Sequence, residues 1–232
     1  MLISVHLPKT AGSSFATSLN NHFGESHYRA DYNDWPINTP KTKRRYQAIK
    51  DFFLNQKRDF SGIECIHGHF LPLKYLGLRN DSDTKYITWM RDPIQRMASH
   101  YHFWKRTYNP EKSPALHTRM VQEDWTLERF CLGTEVRNFY SIFLWGFPLS
   151  KFNFIGITEY YEEDLAWFAE NVLHTTLNIK TENVHTKVGD QYQFSSDLLK
   201  KIEKWHSKDI ELYKKVLKMR QYRMSNISST PK

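Results

Sequence analysis

The chain has 232 residues, 40% of them hydrophobic and 15% aromatic, and carries a formal net charge of +8. Such a length and apolar content fit one domain with a real core and exclude a disordered or low-complexity chain. The positive charge points toward a polyanionic partner, although charge alone does not choose among nucleic acid, a phosphorylated nucleotide and an acidic glycan.

No apolar run approaches the roughly 18 residues of a membrane span, and no charged and apolar leader precedes the first apolar segment. The reading is therefore a cytoplasmic chain without a membrane span, residues 1–232 forming a single domain. The two cysteines, Cys65 and Cys131, match no metal or redox spacing and read as buried thiols.

The first apolar run, "LISVHL" (Leu2 to Leu7), reads as a buried strand closed by Pro8. From Ser13, the spacing of Phe15, Ala16, Leu19 and Phe23 predicts an amphipathic helix ended by Gly24. Residues Tyr28 to Lys43 read as a polar loop, and Arg44 to Gln56 as a helix. "GIECIHGHF" (Gly62 to Phe70) contains a second short strand and "KYITWM" (Lys85 to Met90) a stronger one. Asp92 and Pro93 are then suited to cap and open a helix. Thr107 to His117 reads as a loop, followed by helices near Trp125–Leu132 and Val136–Trp145. "FNFIGIT" (Phe152 to Thr158) is another buried strand, with a helix after it. Residues 181–193 look irregular, a long helix runs from Ser196 to Met219, and the tail from 225 to 232 frays. Strands alternating with helices predict a three-layer α/β/α fold around a mainly parallel sheet.

The stretch "HLPKTAGSS" (His6 to Ser14) lies where the first strand turns into the first helix. Such a corner leaves the first N–H groups of the helix unpaired and aimed at any anion. Ala11 and Gly12 allow close backbone approach. Thr10, Ser13 and Ser14 add hydroxyls, and Lys9 adds a full charge. The order differs from GxxxxGK[ST], because here the lysine precedes the glycine.

This stretch resembles the 5′-phosphosulfate loop of sulfotransferases that use 3′-phosphoadenosine-5′-phosphosulfate (PAPS). "MRDPIQRMASHYHF" is similar to the RDPxxRxxSxY pattern of the heparan/uronyl 2-O-sulfotransferase-like branch, with Arg91 and Ser99 eight residues apart. "IHGHF" resembles the HGH segment of that branch, and "FIGITEYYEEDLAWF" its strand followed by a helix. "DIELYKKV" is similar to its ending. The resemblance implies a P-loop-like phosphosulfate loop from Lys9 through Thr10, Ala11, Gly12, Ser13 and Ser14. It implies a 3′-phosphate site at Arg91 and Ser99, a closing loop at Thr186 and Lys187, and PAPS as co-substrate without a metal. Arg91 suits a phosphate by its forked guanidinium. Ser99 is placed opposite the apolar stripe of its helix, with Gln95 and Arg96.

His67 and His69 leave the same face if their segment is extended. A histidine titrating near neutrality suits proton abstraction from an attacking hydroxyl. The resemblance implies His69 as base, with His67 or Glu64 in reserve, and Lys9 as the group stabilising the departing bisphosphate. His100 and His102 diverge on a helix, and no ligand set completes a metal site. The expected reaction is sulfuryl transfer to a hydroxyl of a carbohydrate or small-molecule alcohol. A P-loop-like kinase is the alternative; a nucleic-acid module lacks a basic and aromatic face to carry it.

Overall fold

The computed structural model describes residues 1–34, 36–78, 83–176 and 192–227. The strands are β1 (Leu2–Val5), β2 (Tyr28–Asp31), β3 (Cys65–Gly68), β4 (Lys85–Met90) and β5 (Phe154–Ile157). They form one sheet in the order β2-β3-β1-β4-β5. Every pairing in it is parallel. Helices α1 (Gly12–Phe23), α2 (Lys41–Asn55) and α3 (Pro93–Thr107) come first. They are followed by α4 (Ala115–Gln122), α5 (Leu127–Cys131), α6 (Phe139–Phe143), α7 (Tyr161–Asn171), α8 (Ser196–Trp205) and α9 (Ser207–Ile227).

Alternation along the strands feeds two cores. Ile3, Val5, Ile66 and Ile155 face Phe139 and Phe143 of α6 and Tyr213 and Val216 of α9. Leu2, Cys65, Ile87 and Phe154 face Phe15 and Leu19 of α1 and Leu165 and Phe168 of α7. Period-two strands covered on both sides give the three-layer α/β/α sandwich. A third cluster joins α3 to Met120, Trp125, Phe130 and Ile202.

Several elements differ from the sequence reading. Tyr28 to Asp31, expected within a loop, is the edge strand β2; its pattern is mostly exposed, and its pairing comes from β3. The helix expected from Arg44 starts at Lys41, directly after Pro40. The loop expected through His117 gives way to α4 at Ala115, again just after a proline. The helices around Trp125 and Val136 are short, spanning Leu127–Cys131 and Phe139–Phe143. The long C-terminal helix is two helices, broken at His206. There the imidazole Nε2 bonds the Cys131 carbonyl and Nδ1 accepts from the Asn138 N–H. The second helix continues to Ile227, into the tail expected to fray.

The chain leaves β1 toward β2 on one side of the sheet and leaves β4 toward β5 on the other. Such a reversal opens a crevice between the carboxyl ends of β1 and β4. His6 to Gly12 and Arg91 begin there.

Candidate active site

The corner after β1 has an unusual backbone. Lys9 and Ala11 both adopt left-handed conformations, with φ of 71° and 62°. Such residues without glycine's freedom cost about 1–3 kcal/mol each and cluster at functional sites. Ala11 is the N-cap of α1 and provides no side-chain cap, and no acidic residue lies in the first turn. The N–H groups of Gly12, Ser13 and Ser14 therefore open the helix without a side-chain acceptor. The Thr10 hydroxyl, expected as a donor to an anion, donates instead to the Leu7 carbonyl at 2.7 Å. Thr10 thus braces the loop and offers only its backbone. Ser13 is exposed and Ser14 half-buried.

Gly12 has a different use from the one expected. A Cβ there would fall 1.8 Å from His6 Nε2, so the missing side chain makes room for the His6 ring.

Lys9 Nζ sits 3.9 Å above the ring of Phe103, from α3. Burial, with Arg106 and Arg91 close by, pulls its pKa down to about 8. Among the described residues, no ion pair joins Lys9 to a carboxylate, so no acid offsets its charge. The backbone of Arg91 is gripped by one side chain: the Tyr140 hydroxyl accepts from its N–H and donates to its carbonyl. Glu159 Oε1 lies 4.0 Å from Arg91 Nε, but it accepts from the Asp92 N–H at 2.9 Å. Its Oε2 accepts from Tyr213. Glu159 therefore steadies the corner and holds the guanidinium only loosely. Asp92 caps α3, accepting from Ile94 and Gln95.

On α3, Ser99 and Gln95 are half-buried, as their helical face predicts. Arg96 is not with them. It is 1% exposed and lies 3.7 Å over the Phe139 ring. A guanidinium that stacks on an aromatic face can enter a core that the charge alone would forbid. Gln95 instead clasps the backbone of Tyr192 through both its N–H and its carbonyl. Thr186 and Lys187 lie outside the described residues.

The two histidines at the end of β3, His67 inside the strand and His69 just beyond it, differ in environment. His67 is buried, with Nδ1 on Ser4 Oγ at 2.8 Å and Nε2 enclosed without a partner. Burial lowers its pKa to about 3, which makes it a poor base. His69 is half-buried, and its Nδ1 donates to the His6 carbonyl at 2.6 Å. That bond fixes the tautomer in which Nε2 carries the lone pair. Burial lowers the His69 pKa while the His6 carbonyl opposes the shift. The ring is thus neutral and able to accept a proton at neutral pH.

Sequence reasoning missed two residues that complete this site. The His6 ring stacks on His69 with centroids 4.3 Å apart. Its Nδ1 pairs with the Tyr32 hydroxyl at 3.1 Å, and the Tyr32 ring stands edge-on to His69 at 4.9 Å. His6 is the first residue beyond β1, a position that could have marked it; Tyr32 follows β2, which had no legible pattern. Trp104 and Trp125 are buried in the third core cluster and so line no acceptor cleft. A cleft of about 380 Å³ does open beside Asp31 and Asn33, lined by Arg29, Arg44 and Lys74.

No protein-family model matches the chain, and no curated protein matches it. Solved structures that match the chain include two sulfotransferases. Mouse sulfotransferase SULT7A1 complexed with PAP has 10% identity and a TM-score of 0.46, over 97% of this chain and 88% of that one. A sulfotransferase from Alicyclobacillus acidocaldarius has 13% identity and a TM-score of 0.42, over 90% of this chain and 92% of that one.

Among the described residues, no group of histidines, cysteines and carboxylates is arranged to hold a metal ion, and no helix is long and apolar enough to cross a membrane.

Proposed function

We propose that the chain is a sulfotransferase that takes its sulfuryl group from PAPS and passes it to a hydroxyl of a carbohydrate or small-molecule alcohol. The observation that carries this reading is the α1 start without a side-chain cap, reached through the left-handed Lys9 and Ala11, with the His6 ring packed against Gly12 and stacked on His69, whose Nδ1 is held by the His6 carbonyl. The residues present suit a doubly anionic nucleotide. The α1 start and Lys9 suit its 5′ end, and Arg91 with Ser99 suits a 3′-phosphate. PAPS, when bound, supplies an activated sulfuryl group on a good leaving phosphate.

The chain's own part is positioning and electrostatics. The backbone from Thr10 to Ser14 and the hydroxyls of Ser13 and Ser14 orient the anion. Lys9 offsets charge developing on the leaving oxygen. His69 Nε2 removes the acceptor's proton as it attacks, and the imidazolium that forms keeps its Nδ1–H on the His6 carbonyl. Proton removal of this kind contributes about 10²–10⁴-fold. A kinase reading has less support. The carboxylates at the strand ends are already committed, Asp31 to Lys74 and Tyr75 and Glu159 to Asp92 and Tyr213.

Calorimetric titration with adenosine 3′,5′-bisphosphate, ATP and an oligonucleotide tests the reading. Tight binding of the bisphosphate alone is expected, and preference for ATP or the oligonucleotide would overturn it. In sulfate transfer from labelled PAPS, Lys9→Ala is expected to abolish turnover. His69→Ala is expected to lower turnover by about 10²-fold or more while bisphosphate affinity stays close to normal. Collapse of that affinity would make His69 a binding residue instead.

A further inference from the structure

Helix α2 is built inside out. Its buried residues are Ala48 and Asn55, a small and a polar side chain. Its large apolar residues stand outward: Tyr46 is 69% exposed, Phe53 62%, Ile49 43% and Leu54 41%. Tyr46, Ile49 and Phe53 recur at three- and four-residue spacing and so share one helical face. Single exposed apolar side chains are ordinary, but a stripe of them on one helix marks an interaction site.

The charges around the stripe select the partner. Lys43 and Lys50 lie three residues before and four after Tyr46, on the same side of the helix, and both are exposed. The only carboxylate of α2, Asp51, is half-buried and turned toward Lys74, 3.9 Å away, while accepting from Gln47. The outward face is therefore apolar and basic with no acid in it. A second copy of the chain would set these lysines against themselves, which disfavours an isologous dimer. A helix lying flat with aromatic residues inward and lysines beside them fits an anionic membrane surface.

We propose that the outward face of α2 docks on an anionic lipid bilayer, with Phe53, Tyr46 and Ile49 entering the interface and Lys43 and Lys50 pairing with lipid phosphates. The flank of the same helix, through Lys43, Arg44 and Gln47, lines the 380 Å³ cleft near Asp31, so Lys43 stands at the border between the cleft and the outward face. Docking would thus hold that cleft beside the lipid surface. The inference rests on the exposed face of α2 and stands whether or not the chain transfers sulfate.

Flotation with vesicles of phosphatidylcholine, alone or with phosphatidylglycerol added, tests it. The full chain is expected to bind only the anionic vesicles and to be released by salt. The double variant Ile49→Ser with Phe53→Ser is expected to lose about tenfold or more in partitioning. Its thermal midpoint should stay near that of the parent, since both side chains are exposed. If that variant fails to fold, Lys43→Glu with Lys50→Glu carries the test and is expected to abolish binding. No binding of the parent, or equal binding to neutral vesicles, overturns the proposal. So does capture by immobilised polyglutamate without vesicle binding, or a dimer in sedimentation that Phe53→Ser dissolves.

Discussion

At the scale of single residues, the site is held by a contact that the sequence motif conceals. Glycine at position 12 looks like room for a ligand, yet the room is taken by His6 Nε2, 1.8 Å from where a Cβ would stand. Gly12→Ala must push that ring away from His69 and Tyr32, at a cost of about 1–3 kcal/mol for overpacking. Removing the ring should remove the cost. The double variant His6→Ala with Gly12→Ala is therefore expected to lose little more stability than His6→Ala alone. Urea titration of the four proteins in this cycle checks it, and additive losses would show that the two residues do not collide. Lys9 gives a second prediction. Its pKa of about 8 is set by burial and by two neighbouring arginines, and a bound anion would raise it. Binding then takes up a proton above about pH 8, so affinity for adenosine 3′,5′-bisphosphate is expected to fall by about tenfold per pH unit there. Calorimetry across that range, in buffers of different ionisation enthalpy, reads both the affinity and the proton; a flat profile would show that Lys9 does not face the anion. That Lys9, Arg91 and His69 stand just beyond strand ends was legible, because each closely follows an apolar run. His6 and Tyr32 were not, because their roles depend on three strand ends meeting in space.

At the scale of elements, the strongly periodic segments were readable and the marginal ones were not. β1, β4, β5 and α1 carry apolar residues at their own period, and the sequence placed each within a few residues. β2 has four residues with a mostly exposed pattern, and only pairing with β3 makes it a strand. The break between α8 and α9 was invisible for a related reason. Local propensity favours one helix, but His206 reaches the Cys131 carbonyl and the Asn138 N–H across 75 and 68 positions of chain. Asp209 then accepts from the N–H groups of Tyr140 and Ser141 at the start of α6. This long-range anchoring matters for the site, since α6 carries the hydroxyl that grips Arg91. Tyr140→Phe removes both of its bonds to the Arg91 backbone without emptying the core. A loss of about 1–2 kcal/mol in stability is expected. Adenosine 3′,5′-bisphosphate should bind more weakly while adenosine 5′-phosphosulfate, which lacks the 3′-phosphate, binds as before. Equal weakening of both ligands in calorimetry would mean that Tyr140 supports the whole crevice and not the Arg91 corner alone.

At the scale of the whole molecule, the fold encloses histidines and keeps them neutral. His67 and His206 are drawn down to about 3 and about 4, chiefly by burial, and His6 and His100 lie well below their ordinary value for the same first reason. In the unfolded chain each titrates near pH 6.5. Below that pH the unfolded state binds protons that the folded state refuses, so stability is fully present above about pH 6.5 and is lost as pH falls. Each histidine contributes a slope of up to about 1.4 kcal/mol per pH unit. Three carboxyls oppose this. Burial raises Asp34, Glu159 and Asp209, so the folded state binds their protons first. Their effect opens above the ordinary carboxylate range, because the folded state takes up these protons before the unfolded state does, and it offsets part of the histidine slope. The four histidines outnumber the three carboxyls, so a domain with the usual 5–15 kcal/mol in hand is still expected to lose stability as pH falls from about 6.5 toward about 5. Urea midpoints across that range should fall, and His206→Gln should make the slope shallower by about one proton. The parent midpoint holding steady or rising on acidification would mean that these imidazoles are solvated, and the neutral His69 proposed as base would lose its physical footing with them.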